Sequence, residues 1–296
     1  MKTNYYCKPQ LSVDSQITLL KNEGLIFLDE DKAKHLLNHI SFFRFKSYLK
    51  PFRITSSKTF KPNSTFESAY SLYKFDSELR KLISSELEKI EVSIRTQLSL
   101  IMSDRLGIYW FTDSNNFRDT NLHISLLQSL KNELDRNDDE PINRFKSKYN
   151  NVFPPSWMTF EISSFGTLSK MYNWLKAGYM RRQVATFYGL SDTVMTSWLH
   201  SIVYVRNICA HHGRLWNKQM SINAVTPRNL SLPFINIPND TKKLYYIISI
   251  ILYFLQTINP NNTFVYRFKS LIQEYPNIDL SAMGFPAGWQ QEGLWK

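Results

Sequence analysis

The stretch Arg206-Asn207-Ile208-Cys209-Ala210-His211-His212-Gly213-Arg214-Leu215-Trp216-Asn217 places an arginine five residues ahead of a histidine pair, where an apolar run gives way to a glycine. Strongly polar side chains crowded at one end of an otherwise apolar segment need explaining, and a site is one explanation. The chemistry these residue types suit is RNA cleavage without a metal. A histidine can take the proton from a ribose 2′-hydroxyl or protonate the leaving oxygen, while a guanidinium stabilises the charge gathering on the phosphorus oxygens. The spacing does not put Arg206 and His211 on one stripe of an ideal helix, but arginine is long and the helix is ending at the histidine. The two can converge on one phosphate, particularly if a second copy of the helix packs alongside. The competing reading of the same residues is a helix cap beside a surface cation.

Adjacent His211 and His212 also raise the question of a metal, yet no HExxH pattern and no nearby cysteine or carboxylate set has ligand spacing. No metal is expected. P-loop, GxSxG and dinucleotide fingerprints are missing too, so NTPase, esterase and dehydrogenase chemistry are poor readings and no cofactor is expected.

A helix must carry this motif. It is expected to start at Ser191 or Asp192, to bury Val194, Trp198, Ile202, Val205, Ile208 and Cys209, and to stop at Gly213. A second, long helix is expected from Phe66 to Met102, with Phe75, Leu79, Leu82, Leu87, Ile90, Ile94, Leu98 and Ile101 recurring at steps of three and four. Its other side carries Glu88, Glu91 and Arg95, the last two at the favourable i,i+4 spacing. Either this is a solvated ion-paired face, or a carboxylate here orients an active-site base.

Ahead of it, SFFRFKSYLKPF mixes Phe42, Phe43, Phe45, Tyr48 and Phe52 with Arg44, Lys46, Lys50 and Arg53. These can stack bases and neutralise phosphates, or the aromatics can be the core of an amphipathic helix with solvated cations. Two short helices precede this segment, one stopped at Gly24 and one capped by Asp29. NELDRNDDEP is expected to be an exposed loop. In PPSWMTFEISSFGTLSKMYNWL a helix is expected to start at Pro155 and Ser156, with Gly166 permitting close packing or a kink, and Glu161 needing a partner if buried.

The 296-residue chain is 43% hydrophobic and has only 9 glycines and 12 prolines, which favours a sizeable core built of helices. Thirty-six Lys and Arg against 25 Asp and Glu give a net charge of +11, making polyanions natural partners. Cys7 and Cys209 have neither disulfide-framework nor zinc spacing and fit a reducing cytoplasm. The first residues hold no apolar run of signal-peptide length, so export is not expected. The longest apolar run, Leu244 to Ile258, is shorter than the roughly 18 residues of a spanning helix and is read as a core helix.

Five segments, in order, resemble the Abi family of bacterial abortive-infection proteins (the AbiD/AbiF-like group): FFRFKSYLKPF, YKFDSELRKLISSELEKIEVSIRTQL, PPSWMTFEISSFGTLSKMY, SWLHSIVYVRNICAHHGRLWN and IDLSAMGFPAGWQQEGLW. That family is similar to the HEPN superfamily, helical bundles that commonly dimerise and often cut RNA through an Arg-x4-6-His motif. The resemblance implies an all-α bundle of HEPN type with added N- and C-terminal helices. Within one domain, 1–65 is then an extension, 66–258 the core and 259–296 a C-terminal segment. It places the motif arginine on Arg206, the polar residue after it on Asn207 and the motif histidine on His211, with His212 in support. Glu91, ahead of Glu88, matches the acidic position of an earlier helix. It further implies antiphage defence by halting growth and RNA as partner (in some members a small structured RNA); the basic residues Arg44, Lys46 and Lys50 of the aromatic-basic segment, with Arg214, are the expected RNA contacts. With one Arg-x4-His in the chain, a two-motif site requires a homodimer. The alternatives are a non-catalytic protein that holds a regulatory RNA, and a protein-interaction module with an incidental motif.

Overall fold

The computed structural model describes residues 5, 9–237 and 239–296, and Cys7 lies outside them. Among these residues the fold is all-α, with no strand or sheet and only isolated bridge pairs such as Phe117 with Leu175. The chain divides into two compact units, residues 1–79 with 271–278 and residues 80–270 with 279–296. The division falls after residue 79, inside the long helix, whose first turns belong to the first unit.

In the first unit, α1 (Val13–Asn22) is capped by Ser12 and α2 (Glu30–His39) by Asp29, whose carboxylate accepts the Lys32 N–H at 2.9 Å. Gly24 takes φ +94, as the stop requires. Helix α3 (Phe42–Leu49) settles the aromatic-basic segment. Phe45 and Tyr48 are core and unavailable to a base, and Phe42 and Phe52 are half-buried against it. Arg53 is also engaged, paired with Glu23 at 2.6 Å and lying over the Phe60 ring. Phe43 alone of these aromatics projects outward, 90% exposed, and Lys46 and Lys50 are exposed at three and seven residues beyond it. The Tyr48 hydroxyl donates at 2.6 Å to Asp76, a fully buried carboxylate of α4 (Phe66–Leu106).

From residue 80 onward α4 belongs to the second unit, where Leu87, Ile90, Ile94 and Leu98 are buried as their spacing predicts. Helix α5 (Thr120–Arg136) runs through the first half of NELDRNDDEP, and α6 (Glu140–Lys148) takes its end. The expected loop is therefore only Asn137–Asp139. Buried Leu134 holds α5 helical that far, and Pro141 sits in a first turn, where its missing N–H costs nothing. The following segment splits at Ile162–Ser164 into α7 (Ser156–Glu161) and α8 (Phe165–Trp174), because Ser164 caps the second helix. Gly166 neither kinks a helix nor admits a close neighbour, since an added Cβ would meet only Ser164 at 3.8 Å, and Glu161 is exposed.

Helix α9 (Tyr179–Phe187) and α10 (Asp192–Ala210) follow, and α10 packs against α8, α9 and α11 (Leu244–Ile258). Leu244 to Leu255 of α11 is buried all round, so this apolar run is a core helix, and no described helix is long and apolar enough to cross a membrane. Residues 264–270 of α12 (Phe264–Glu274) and a returning segment close the unit. That segment brings Phe285, Trp289 and Trp295 onto Tyr245 and Phe268. It turns at Gly284, where φ is +86 and a Cβ would lie 2.4 Å from that of Lys243.

Candidate active site

Ser191 caps the start of α10, accepting the Val194 N–H, and Trp198 ties its middle to the Val225 carbonyl at 2.9 Å. The helix ends through two reversed hydrogen bonds, Gly213 N–H to the Ile208 carbonyl at 2.7 Å and His212 N–H to that of Cys209 at 3.0 Å. The left-handed residue of this ending is His212, at φ +55, and not the glycine that the sequence marks as the stop. Gly213 answers a different need. A Cβ there would meet Ile208 Cγ2 at 3.0 Å and the Ile208 carbonyl at 3.3 Å, the same oxygen its N–H must reach. Buried Arg80 of α4 donates to the Gly213 carbonyl at 3.3 Å and fixes the chain beyond the turn. Gly213→Ala is expected to lower stability by about 1 kcal/mol through this crowding, measured by urea unfolding; an unchanged midpoint would refute the close approach.

At the other edge of α10, a buried carboxylate of α4 holds two guanidiniums. Glu91 accepts from Arg95 at 2.6 Å through one oxygen and from Arg206 Nε at 3.3 Å through the other. Arg95 also donates to the carbonyls of Phe160 at 2.8 Å and Ser163 at 2.9 Å, so it cements α4 to the end of α7. The side chain of Glu91 is 9% exposed and that of Arg206 40%. Arg206 therefore keeps one flank in solvent while its base is held. Glu91 is buried and not solvated, but what it holds are guanidiniums and not an active-site base, and Glu88 is exposed. Glu91→Gln keeps the shape and removes the charge between two cations, and about 2–3 kcal/mol of stability is expected to go with it. A double-mutant cycle with Arg95 should recover most of that loss, and independent effects of the two changes would contradict the coupling.

His211 is the exposed C-cap of α10, and no hydrogen bond of its ring is found among the described residues. Asn207 and His212 are exposed, and Arg214 is half-buried. The structure thus brings Glu91, Arg95 and Arg206 together and leaves His211 facing solvent, with no hydrogen bond between Arg206 and His211 among the described residues. Five residues turn an ideal helix through about 140° beyond a full turn, which accounts for their divergence within one chain. Arg44, Lys46 and Lys50 belong to the first unit. No group of His, Cys, Asp and Glu that could hold a metal occurs among the described residues.

Residues 35–217 match the model of the Abi-like protein family. The chain belongs to that family. This Abi-like protein is thereby linked to abortive infection, and the matched span holds every residue of the site just described. Four of the five segments that carry the resemblance fall within it, while IDLSAMGFPAGWQQEGLW lies beyond. No curated protein and no solved structure matches the chain.

Sequence spacing missed three features of this Abi-like site. Arg80 at the helix end and the two carbonyls on Arg95 are tertiary contacts with no local signal. The third had one: His200, Tyr204, Asn207 and His211 recur every three or four residues, placing hydrogen-bonding side chains along one outer face of α10.

Proposed function

We propose that this Abi-like protein is a metal-independent endoribonuclease of HEPN type that acts in abortive infection, with Arg206 and His211 as its catalytic pair. The observation that carries the reading is the Glu91 bridge, which holds Arg206 on α10 five residues ahead of an exposed His211 whose ring makes no hydrogen bond among the described residues. A surface cation with no task would not need a buried carboxylate for its base, and a histidine whose ring makes no hydrogen bond among the described residues is available to move a proton.

In the proposed reaction the ribose 2′-oxygen attacks the adjacent phosphorus. The bond from phosphorus to the 5′-oxygen breaks, leaving a 2′,3′-cyclic phosphate on one fragment and a 5′-hydroxyl on the other. His211 removes the 2′-proton or supplies the one that the 5′-oxygen takes up, and Arg206 neutralises the charge on the non-bridging oxygens. Because the two side chains diverge around α10, a homodimer that sets two copies of the motif face to face supplies a compact site. The positive charge of +11 favours encounter with RNA, and Phe43, Lys46 and Lys50 offer an outward aromatic-cationic face in the first unit. A cytoplasmic location accords with such a substrate.

Incubation with total bacterial RNA in EDTA, with mapping of new ends, tests the reading. New 2′,3′-cyclic phosphates are expected. Binding without cutting would instead favour a protein that holds a regulatory RNA, the reading to which the missing Arg206–His211 bond lends weight.

A further inference from the structure

The loop after α10 folds back on the helix that precedes it. Leu215, Trp216 and Met220 are buried, the Trp216 ring N–H donates to the Asp279 carbonyl at 3.1 Å, and the Met220 N–H to that of Lys242 at 2.8 Å. Asn217 takes φ +49, so the chain turns between these anchors. What the anchors leave outside is polar. Ser221 is exposed and Lys218 half-buried, and both come to the Tyr204 hydroxyl, which lies 3.2 Å from the Ser221 oxygen. The Ser221 hydroxyl and the Lys218 ammonium together draw the Tyr204 phenol below its ordinary range, against a smaller opposing effect of burial. Two hydroxyls and an ammonium are thus held together at the surface, and they pack no core.

Tyr204 and His211 share the outer face of α10, seven residues or about 10 Å apart along its axis. A strand whose reacting phosphate lies at His211 would bring a neighbouring phosphate, a nucleotide or two away, over this cluster. We infer that Tyr204, Ser221 and Lys218 form a phosphate-binding subsite that holds the RNA strand beside the reacting position. The inference rests on RNA being the substrate. Donors to a phosphate oxygen are what the cluster offers, a charge-assisted one from Lys218 and one from the hydroxyl pair, whose other proton lies in the Tyr204–Ser221 bond. The pinned loop supplies them in place, with little ordering left for the moment of binding.

The test uses the full chain and a fluorescein-labelled single-stranded oligoribonucleotide with 2′-O-methyl groups, which cannot be cut. Lys218→Ala is expected to weaken binding about threefold to tenfold and to reduce the salt dependence of log K by about 0.7. Tyr204→Phe and Ser221→Ala should each weaken binding with the salt slope kept. Lys32→Ala, at an exposed position in the first unit, controls for loss of a charge alone. Equal effects of Lys218→Ala and Lys32→Ala, or an unchanged slope for Lys218→Ala, would overturn the subsite while leaving the nuclease reading to the His211 variants. Failure of the wild-type chain to bind the probe and to cut natural RNA would overturn both.

Discussion

His211→Ala is expected to slow RNA cleavage by about 10² to 10⁴-fold, the range over which a positioned proton donor or acceptor contributes. The expectation is sharp because the side chain is exposed and free of hydrogen bonds among the described residues. Its loss should leave stability within about 0.5 kcal/mol of the parent and RNA affinity nearly unchanged. Arg206→Ala should slow the reaction by a similar factor, about 10² to 10³-fold, by removing charge stabilisation at the phosphate. It should also release Glu91 from one of its two cations, so a small stability change accompanies it. Rates from end-labelled RNA in EDTA, set beside urea unfolding of the same preparations, separate these effects. Cleavage by His211→Ala at the parental rate would remove the histidine from the reaction. Cleavage that is lost together with the fold would leave Arg206 and His211 as structural residues only.

The largest expected effect on stability lies away from the motif. Trp295 is fully buried, stacked on Tyr245 with ring centroids 5.5 Å apart and wedged among Phe268, Phe285 and Trp289. Its ring N–H donates to the Ser249 hydroxyl at 3.3 Å. Alanine here opens a cavity among rigid rings that cannot collapse, and a loss of about 3–5 kcal/mol is expected. Tyr245 should report the same event. Burial, with the Glu292 carboxylate adding to it, pushes its phenol up to about 12, and opening the cluster to water should relieve part of that burial. Urea unfolding would show a lower midpoint with the slope retained, and a loss under 1 kcal/mol would contradict the packing.

Much of the fold was legible where one physical signal acted alone. The apolar run of α11 marks its ends at Leu244 and Ile258, Ser191 marks the start of α10, and Asp29 caps α2, because burial and capping are local in sequence. The Glu91–Arg95 pair was readable from i,i+4 spacing. Elsewhere two signals competed. The aromatic-basic segment has the same composition whether its rings face core or solvent, and only the packing of α3 separates Phe45 from Phe43. Polar NELDR looks like loop until Leu134 is seen to be core. Distant partners left no trace at all: fully buried Glu86 is paired with Lys89 at 2.8 Å and with Arg267, which lies 181 residues away. The site divides in the same way, with Arg206 and His211 visible as a motif, and Arg80, Lys218 and Ser221 visible only once the chain has returned to them.

The position of Trp295 bears on how such a protein is made. The aromatic cluster that completes the second unit joins Tyr245 and Phe268 to a ring 50 residues and 27 residues further on, and the carboxylate that links to Arg206 stands far earlier in the same unit. A nascent chain cannot close that core until residue 295 has been synthesised and has cleared the ribosome. Contacts of such long sequence separation also form slowly. The unit bearing Arg206 and His211 therefore completes its core only after translation has passed every residue of the motif.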